Sequence, residues 1–187
     1  MPRTGANLLC DVLRRTKVAG NPREFIHWED IRQCLELWNI EAVEYPAELR
    51  RRETVRGVFG FMAHGFTLCE LQGTGIANDW MEFFDAAPKC IFLTRKDVLR
   101  QAISSVIAEQ NGVYRRTTQG EDRSGLVYCR ERIDFVLRTT AWRCLGWEDW
   151  FTKYGITPFH LTYEELDADL PLAVRRVLEF LGIEYGK

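Results

Sequence analysis

Arg3-Thr4-Gly5-Ala6-Asn7-Leu8 is a turn of mostly small and polar residues that runs straight into an apolar pattern, Leu8, Leu9, Val12 and Leu13, at helical spacing. Such a turn leaves the first backbone N–H groups of a helix pointing outward. The positive end of the helix dipole sits behind them, so the turn suits a phosphate or sulfate. Arg3 adds a guanidinium that keeps its charge and can fork onto two oxygens. The same turn also serves as plain helix entry, and Arg3 as a solvated terminal charge. The nucleotide signature GxxxxGK[ST] is absent, with one Gly and no Lys after it. An ordinary ATP or GTP grip is therefore not expected.

The elements that must carry this turn alternate between helix and strand. Helices are expected over 7–16, closed by Gly20-Asn21-Pro22, and over 28–38, with Ile31, Cys34, Leu35 and Trp38 on one face. Residues 56–62 read as a short apolar strand, 76–84 as a helix, and Cys90-Ile91-Phe92-Leu93-Thr94 as a buried strand. A helix from Asp97 to Asn111 follows, with Asp97 as N-cap. The polar, Gly-bearing stretch 114–125 reads as a loop, 127–153 as one long helix or two, 157–162 as a strand, and 170–181 as a helix stopped by Gly182. Alternation of this kind argues for a parallel sheet with helices on both faces.

Composition narrows the function classes. At 187 residues a single domain with its own core is expected, and 25 basic against 27 acidic residues give a net charge of −2, too balanced for a broad nucleic-acid face. The arginines at 50–52 and 115–116 read equally well as solvated charges. Six scattered Cys without a CxxC pair, and three His, support neither zinc nor a disulfide framework, and most of the Cys pack as small hydrophobes. No stretch reads as a signal peptide or membrane span, so the cytoplasm is the expected compartment.

Four blocks in order resemble the bacterial trehalose 2-sulfotransferase family. They are Pro2-Arg3-Thr4-Gly5-Ala6-Asn7-Leu8-Leu9-Cys10 with Val18-Ala19-Gly20-Asn21-Pro22-Arg23-Glu24; Gly57-Val58-Phe59-Gly60-Phe61 with Ala63-His64; Leu93-Thr94-Arg95-Lys96-Asp97 continuing through Gln101-Ala102-Ile103-Ser104 to Val113; and Leu161-Thr162-Tyr163-Glu164-Glu165-Leu166 with the helix Val174 to Leu181. The resemblance implies a three-layer α/β sandwich of the P-loop nucleoside triphosphate hydrolase type. It also implies transfer of a sulfuryl group from 3′-phosphoadenosine 5′-phosphosulfate (PAPS) to a carbohydrate or glycolipid hydroxyl, with no metal, and it admits a homodimer.

The family's 5′-phosphosulfate loop maps onto Arg3, Thr4, Gly5, Ala6, Asn7 and Leu8, with Arg3 also steadying the departing charge. Its 3′-phosphate grip maps onto Arg95 and onto Ser104, or the adjacent Ser105. The plain alternative is Arg95 paired with Asp97 and serines facing solvent. Glu24 falls where the family carries its catalytic glutamate, a base worth roughly 100- to 10,000-fold in rate. His27 competes for that role, and a surface pair with Arg23 is the bland alternative. Glu109, Gln110 and Gly112 are candidate acceptor-pocket residues. His64 and Met62 stand at the active edge, with Met62 where family members often carry Lys. Trp142, Trp147, Trp150 and Phe151 read as core before they read as a sugar platform, and Arg175 and Arg176 as solvent-facing.

One departure is expected to matter. The resemblance calls for an apolar strand leading into the loop, yet only Met1 precedes Pro2, and the chain stops at Lys187, soon after a helix. The domain, 1–187, is thus read as truncated at its N-terminus and short at its C-terminus, with the neighbours of the first strand left as bare edges. The competing readings are a non-catalytic nucleotide-binding or assembly protein derived from a sulfotransferase and, more remotely, a P-loop kinase.

Overall fold

A computed structural model of the chain describes residues 2–63, 71–114 and 124–184. His64, Arg115, Arg116, Cys69 and most of the 114–125 stretch lie outside them. The buried apolar run forms strand β1, Ile91–Thr94, which pairs in parallel with β2, Phe159–Thr162, in the register Ile91 to Phe159 through Thr94 to Thr162. Among the described residues these two strands are the whole sheet.

Successive strand side chains point to opposite faces, and the core divides accordingly. Leu93 and Leu161 enter a cluster with Leu9 and Leu13 of helix α1 (Ala6–Thr16) and Val174, Val177 and Leu178 of helix α7 (Leu170–Leu181). Phe92 faces the other way, into a cluster with Ile31 of α2 (Trp28–Trp38), Tyr45 and Leu49 of α3 (Tyr45–Glu53), and Trp150 and Phe151 of α5 (Arg130–Lys153). Helix α4 (Val98–Asn111) packs on α5 through Ala102, Val106 and Val136. Each fully buried large side chain contributes roughly 1.5–3 kcal/mol. A parallel pair therefore lies between two apolar layers, as a βαβ chain requires.

Several boundaries follow from capping chemistry. Asp97 accepts the N–H of Arg100 at the start of α4, and Gly112 and Gly182 close α4 and α7 with φ of 70° and 74°. The short helix α6, Tyr163–Ala168, follows β2 without a break. A reciprocal capping box starts it: Thr162 accepts from Glu165 N–H, while the Glu165 carboxylate accepts from Thr162 N–H.

Two expected elements differ. Residues 56–62 do not form a strand: Arg56 and Gly57 both take positive φ, and Val55 and Val58 close an isolated antiparallel bridge around them. The 76–84 helix shrinks to a 3₁₀ turn, Trp80–Phe83, because Gly75 (φ 69°) breaks the chain before it and the Asp79–Glu82 capping box starts it late. A cavity of about 450 Å³ lies beside β1, lined among others by Ile91 and Leu93, by Leu9 and Leu13, and by Phe59 and Phe61.

Candidate functional site

The turn at the N-terminus of α1 is built as an anion cradle is built. Gly5 is the N-cap residue with φ 83°, and it has no side chain to cap the first turn. That turn holds no acidic residue, while Arg14 and Arg15 stand in the last one. The first intrahelical bond, from Leu9 N–H to Gly5 C=O at 3.0 Å, leaves the N–H groups of Ala6, Asn7 and Leu8 without helical acceptors. Glycine is required here twice over. A Cβ at Gly5 would lie 2.9 Å from Leu166 Cδ2 and 3.2 Å from Tyr163 Cδ2, besides the positive φ.

Arg3 also adopts a left-handed conformation, φ 60°, which is unusual for a side chain of its size. The loop is held there by residues far away in sequence. Gln101, buried in α4, donates its amide N–H to Pro2 C=O at 2.7 Å. Arg3 Nε donates to Ser104 Oγ at 2.8 Å, and Arg3 also donates to Tyr114 C=O at 2.7 Å. Arg95, directly after β1, donates to Arg3 C=O at 3.2 Å. Arg3, Arg95 and Ser104 thus meet from a loop, a strand end and a helix.

The two serines part company. Ser105 is buried and returns its hydroxyl to Gln101 C=O at 3.1 Å, within its own helix, whereas Ser104 faces the loop. Arg95 does not take Asp97 as its partner. Its guanidinium lies over the Tyr163 ring, 4.3 Å from the centroid, and its Nε is buried without an acceptor among the described residues. Glu164 fixes the segment after β1 by accepting N–H bonds from Lys96 at 3.0 Å and Asp97 at 3.2 Å. Partial burial works to raise the Glu164 carboxyl, but those N–H groups and the nearby Arg95 charge outweigh it and hold the carboxyl below its ordinary range.

Glu24 lies in the segment that follows α1, half-buried, beside residues 58–62; Arg23 C=O accepts from Met62 N–H at 2.8 Å. Arg23 itself bonds Asn21, at 3.2 Å. The Glu24 charge is felt by Cys10, about 7 Å along α1 from the loop at a rise of 1.5 Å per residue. Burial first, then the Asp11 and Glu24 carboxylates, push the Cys10 thiol up to about 12, against the pull of Arg14. At neutral pH Cys10 is a thiol and no nucleophile. His27 is exposed and ends the segment as the residue before α2, its C=O accepting from Ile31 N–H.

Other candidates carry structural jobs. Glu109 pairs with Arg132 at 2.7 Å, Gln110 exchanges two hydrogen bonds with the backbone of Val127, and Gly112 caps α4. Trp147, Trp150 and Phe151 belong to the core, while Trp142 is exposed, as are Arg175 and Arg176. Met62 is buried. Gln101 and Tyr163 were not singled out by sequence reasoning. A Gln on the buried face of an amphipathic helix was the available signal for the first.

Among the described residues no helix is long and apolar enough to cross a membrane, and no group of His, Cys, Asp and Glu is arranged to hold a metal ion. A family model described as Stf0 sulphotransferase matches residues 1–59 and 67–187. Trehalose 2-sulfotransferase of Mycobacterium tuberculosis is 26% identical over 216 residues, which covers 96% of this chain and 81% of that protein. Trehalose 2-sulfotransferase of Mycolicibacterium smegmatis matches with the same identity and coverage.

Proposed function

This chain belongs to the Stf0 sulphotransferase family, and we propose that it transfers a sulfuryl group from PAPS to a hydroxyl of a carbohydrate or glycolipid. The observation that carries the reading is the convergence of Arg3, Arg95 and Ser104 at the uncapped start of α1. We take the parallel pair and its two helical layers as part of a three-layer sandwich of the P-loop type.

The residues present suit such a donor. A buried guanidinium N–H without a partner costs about 1–3 kcal/mol unless something accepts from it, and Arg95 Nε is in that position. Ser104 accepts from Arg3, which leaves its own O–H to donate. PAPS, when bound, supplies an activated sulfuryl group on a phosphate leaving group. In this reading Arg95 and Ser104 hold the 3′-phosphate. Arg3, Thr4 and Gly5, with the N–H groups of Ala6, Asn7 and Leu8, hold the 5′ end and offset the charge that builds there. Glu24 accepts the proton of the acceptor hydroxyl. The names of both relatives support a sugar of the trehalose kind as acceptor.

The test is Arg95→Ala, titrated with 3′-phosphoadenosine 5′-phosphate and with adenosine 5′-phosphate. Loss of a charge-assisted contact of about 1.5–3 kcal/mol predicts roughly 10- to 100-fold weaker binding of the first ligand alone. Equal losses for both ligands contradict the assignment of Arg95 to the 3′-phosphate.

A further inference from the structure

Tyr163 touches both halves of this site with one ring. Its face lies 4.3 Å from the Arg95 guanidinium, and its edge stands 3.2 Å from where a Gly5 Cβ would be. The Tyr163 hydroxyl is directed elsewhere, to Asp167 at 3.4 Å, so the stack uses the ring alone.

The ring is also fixed in place from two directions. Tyr163 opens α6 directly after β2, where the Thr162–Glu165 capping box sets the first turn. Its neighbour Glu164 grips the N–H groups of Lys96 and Asp97, which binds α6 to the segment that carries Arg95. A guanidinium is planar, so a ring against one face decides which way its N–H edge points. One donor of that edge already holds Arg3 C=O, and buried Nε has no acceptor among the described residues.

We infer that Tyr163 is the positioning residue that makes the site select a 3′-phosphorylated nucleotide, by holding the Arg95 fork flat and in line with the Gly5 turn. The inference rests on the donor reading above and adds a specificity determinant to it. Tyr163 does not act on the reacting atoms.

The experiment titrates 3′-phosphoadenosine 5′-phosphate and adenosine 5′-phosphate into the full chain and into Tyr163→Phe and Tyr163→Leu, with thermal midpoints recorded. Tyr163→Phe keeps the ring and is expected to keep the preference for the 3′-phosphate. Tyr163→Leu is expected to lose about tenfold in affinity for the bisphosphate, in line with a half-buried cation–π contact, and little for the monophosphate. If Tyr163→Leu does not fold, Tyr163→Met carries the same comparison. A non-aromatic variant that folds and keeps full discrimination, or one that loses both ligands equally, overturns the inference. So does a Phe variant as impaired as the Leu one, which would move the role to the hydroxyl. An unaltered chain with no preference for the bisphosphate overturns the donor reading itself, and this inference with it.

Discussion

Arg3 holds a left-handed backbone conformation that costs a non-glycine residue on the order of 1 kcal/mol, and it does so bonded to Ser104, Tyr114 and Arg95, with Gln101 on the neighbouring Pro2 C=O. Long-range contacts keep that strain in place. Gly5 is the weak point of that shape. Gly5→Ala should lower stability by about 1–3 kcal/mol in urea unfolding and abolish nucleotide binding, because the new methyl meets Leu166 and the positive φ remains. Unchanged stability and affinity would contradict the cradle geometry. For Glu24, Glu24→Gln is expected to preserve donor affinity and cut turnover at least 100-fold, as for a lost general base. A variant turning over at near the normal rate removes Glu24 from the mechanism. At this scale the sequence was informative about residue types and poor about partners. Arg3 and Arg95 stand out by charge and position, but the choice between Ser104 and Ser105 needs the helix phase, which a spacing of nine residues does not fix.

Among the elements, α5 is joined to the 3₁₀ turn by the Trp80–Trp147 stack and by one carboxylate that gathers several donors. Asp79 accepts from Trp150 Nε1 at 2.9 Å, Lys153 Nζ at 2.9 Å and Tyr154 O–H at 2.6 Å, besides Met81 N–H in its own cap. Burial works to raise this carboxyl, but the Tyr154, Trp150, Lys153 and Met81 donors outweigh it and lower it to about 2 from 3.8. A depressed folded value means that the stabilisation is complete above about 4 and is lost as pH falls toward 2. The unfolding midpoint should therefore drop between pH 4 and pH 2 more steeply for the native chain than for Asp79→Asn. Parallel curves for the two would deny Asp79 this role. The long periodic elements, α1, α2, α4, α5 and α7, were legible because each has an apolar stripe, and α4 and α7 have capping residues besides. Helices α3 and α6 were not, being short, polar in composition and fixed by neighbours. Residues 56–62 misled for the opposite reason: they are apolar enough for a strand, but Arg56 and Gly57 turn the chain.

In the molecule as a whole, the candidate site joins positions about a hundred residues apart, with Pro2 and Arg3 meeting α4, Tyr114 beyond it and Arg95 after β1. A ligand held by contacts of that range binds the folded chain and not the unfolded one. A hundredfold excess over Kd of 3′-phosphoadenosine 5′-phosphate should then add about 2.7 kcal/mol, or roughly 5–10 °C in the thermal midpoint. Adenosine 5′-phosphate at the same concentration should add less, and equal shifts would speak against a 3′-phosphate contact. The parallel pair and its two layers were foreseeable from the alternation of elements, whereas the cavity beside β1 was not, since it depends on where Phe59 and Phe61 come to lie. The most direct measurement is transfer itself: PAPS labelled in its sulfuryl group, incubated with the chain and trehalose or a panel of sugars. The account predicts a labelled sulfate ester formed in equal amount to released 3′-phosphoadenosine 5′-phosphate, and strongly reduced with Glu24→Gln. Tight binding of the nucleotide with no label on any carbohydrate would contradict it and leave a nucleotide-binding protein without the reaction.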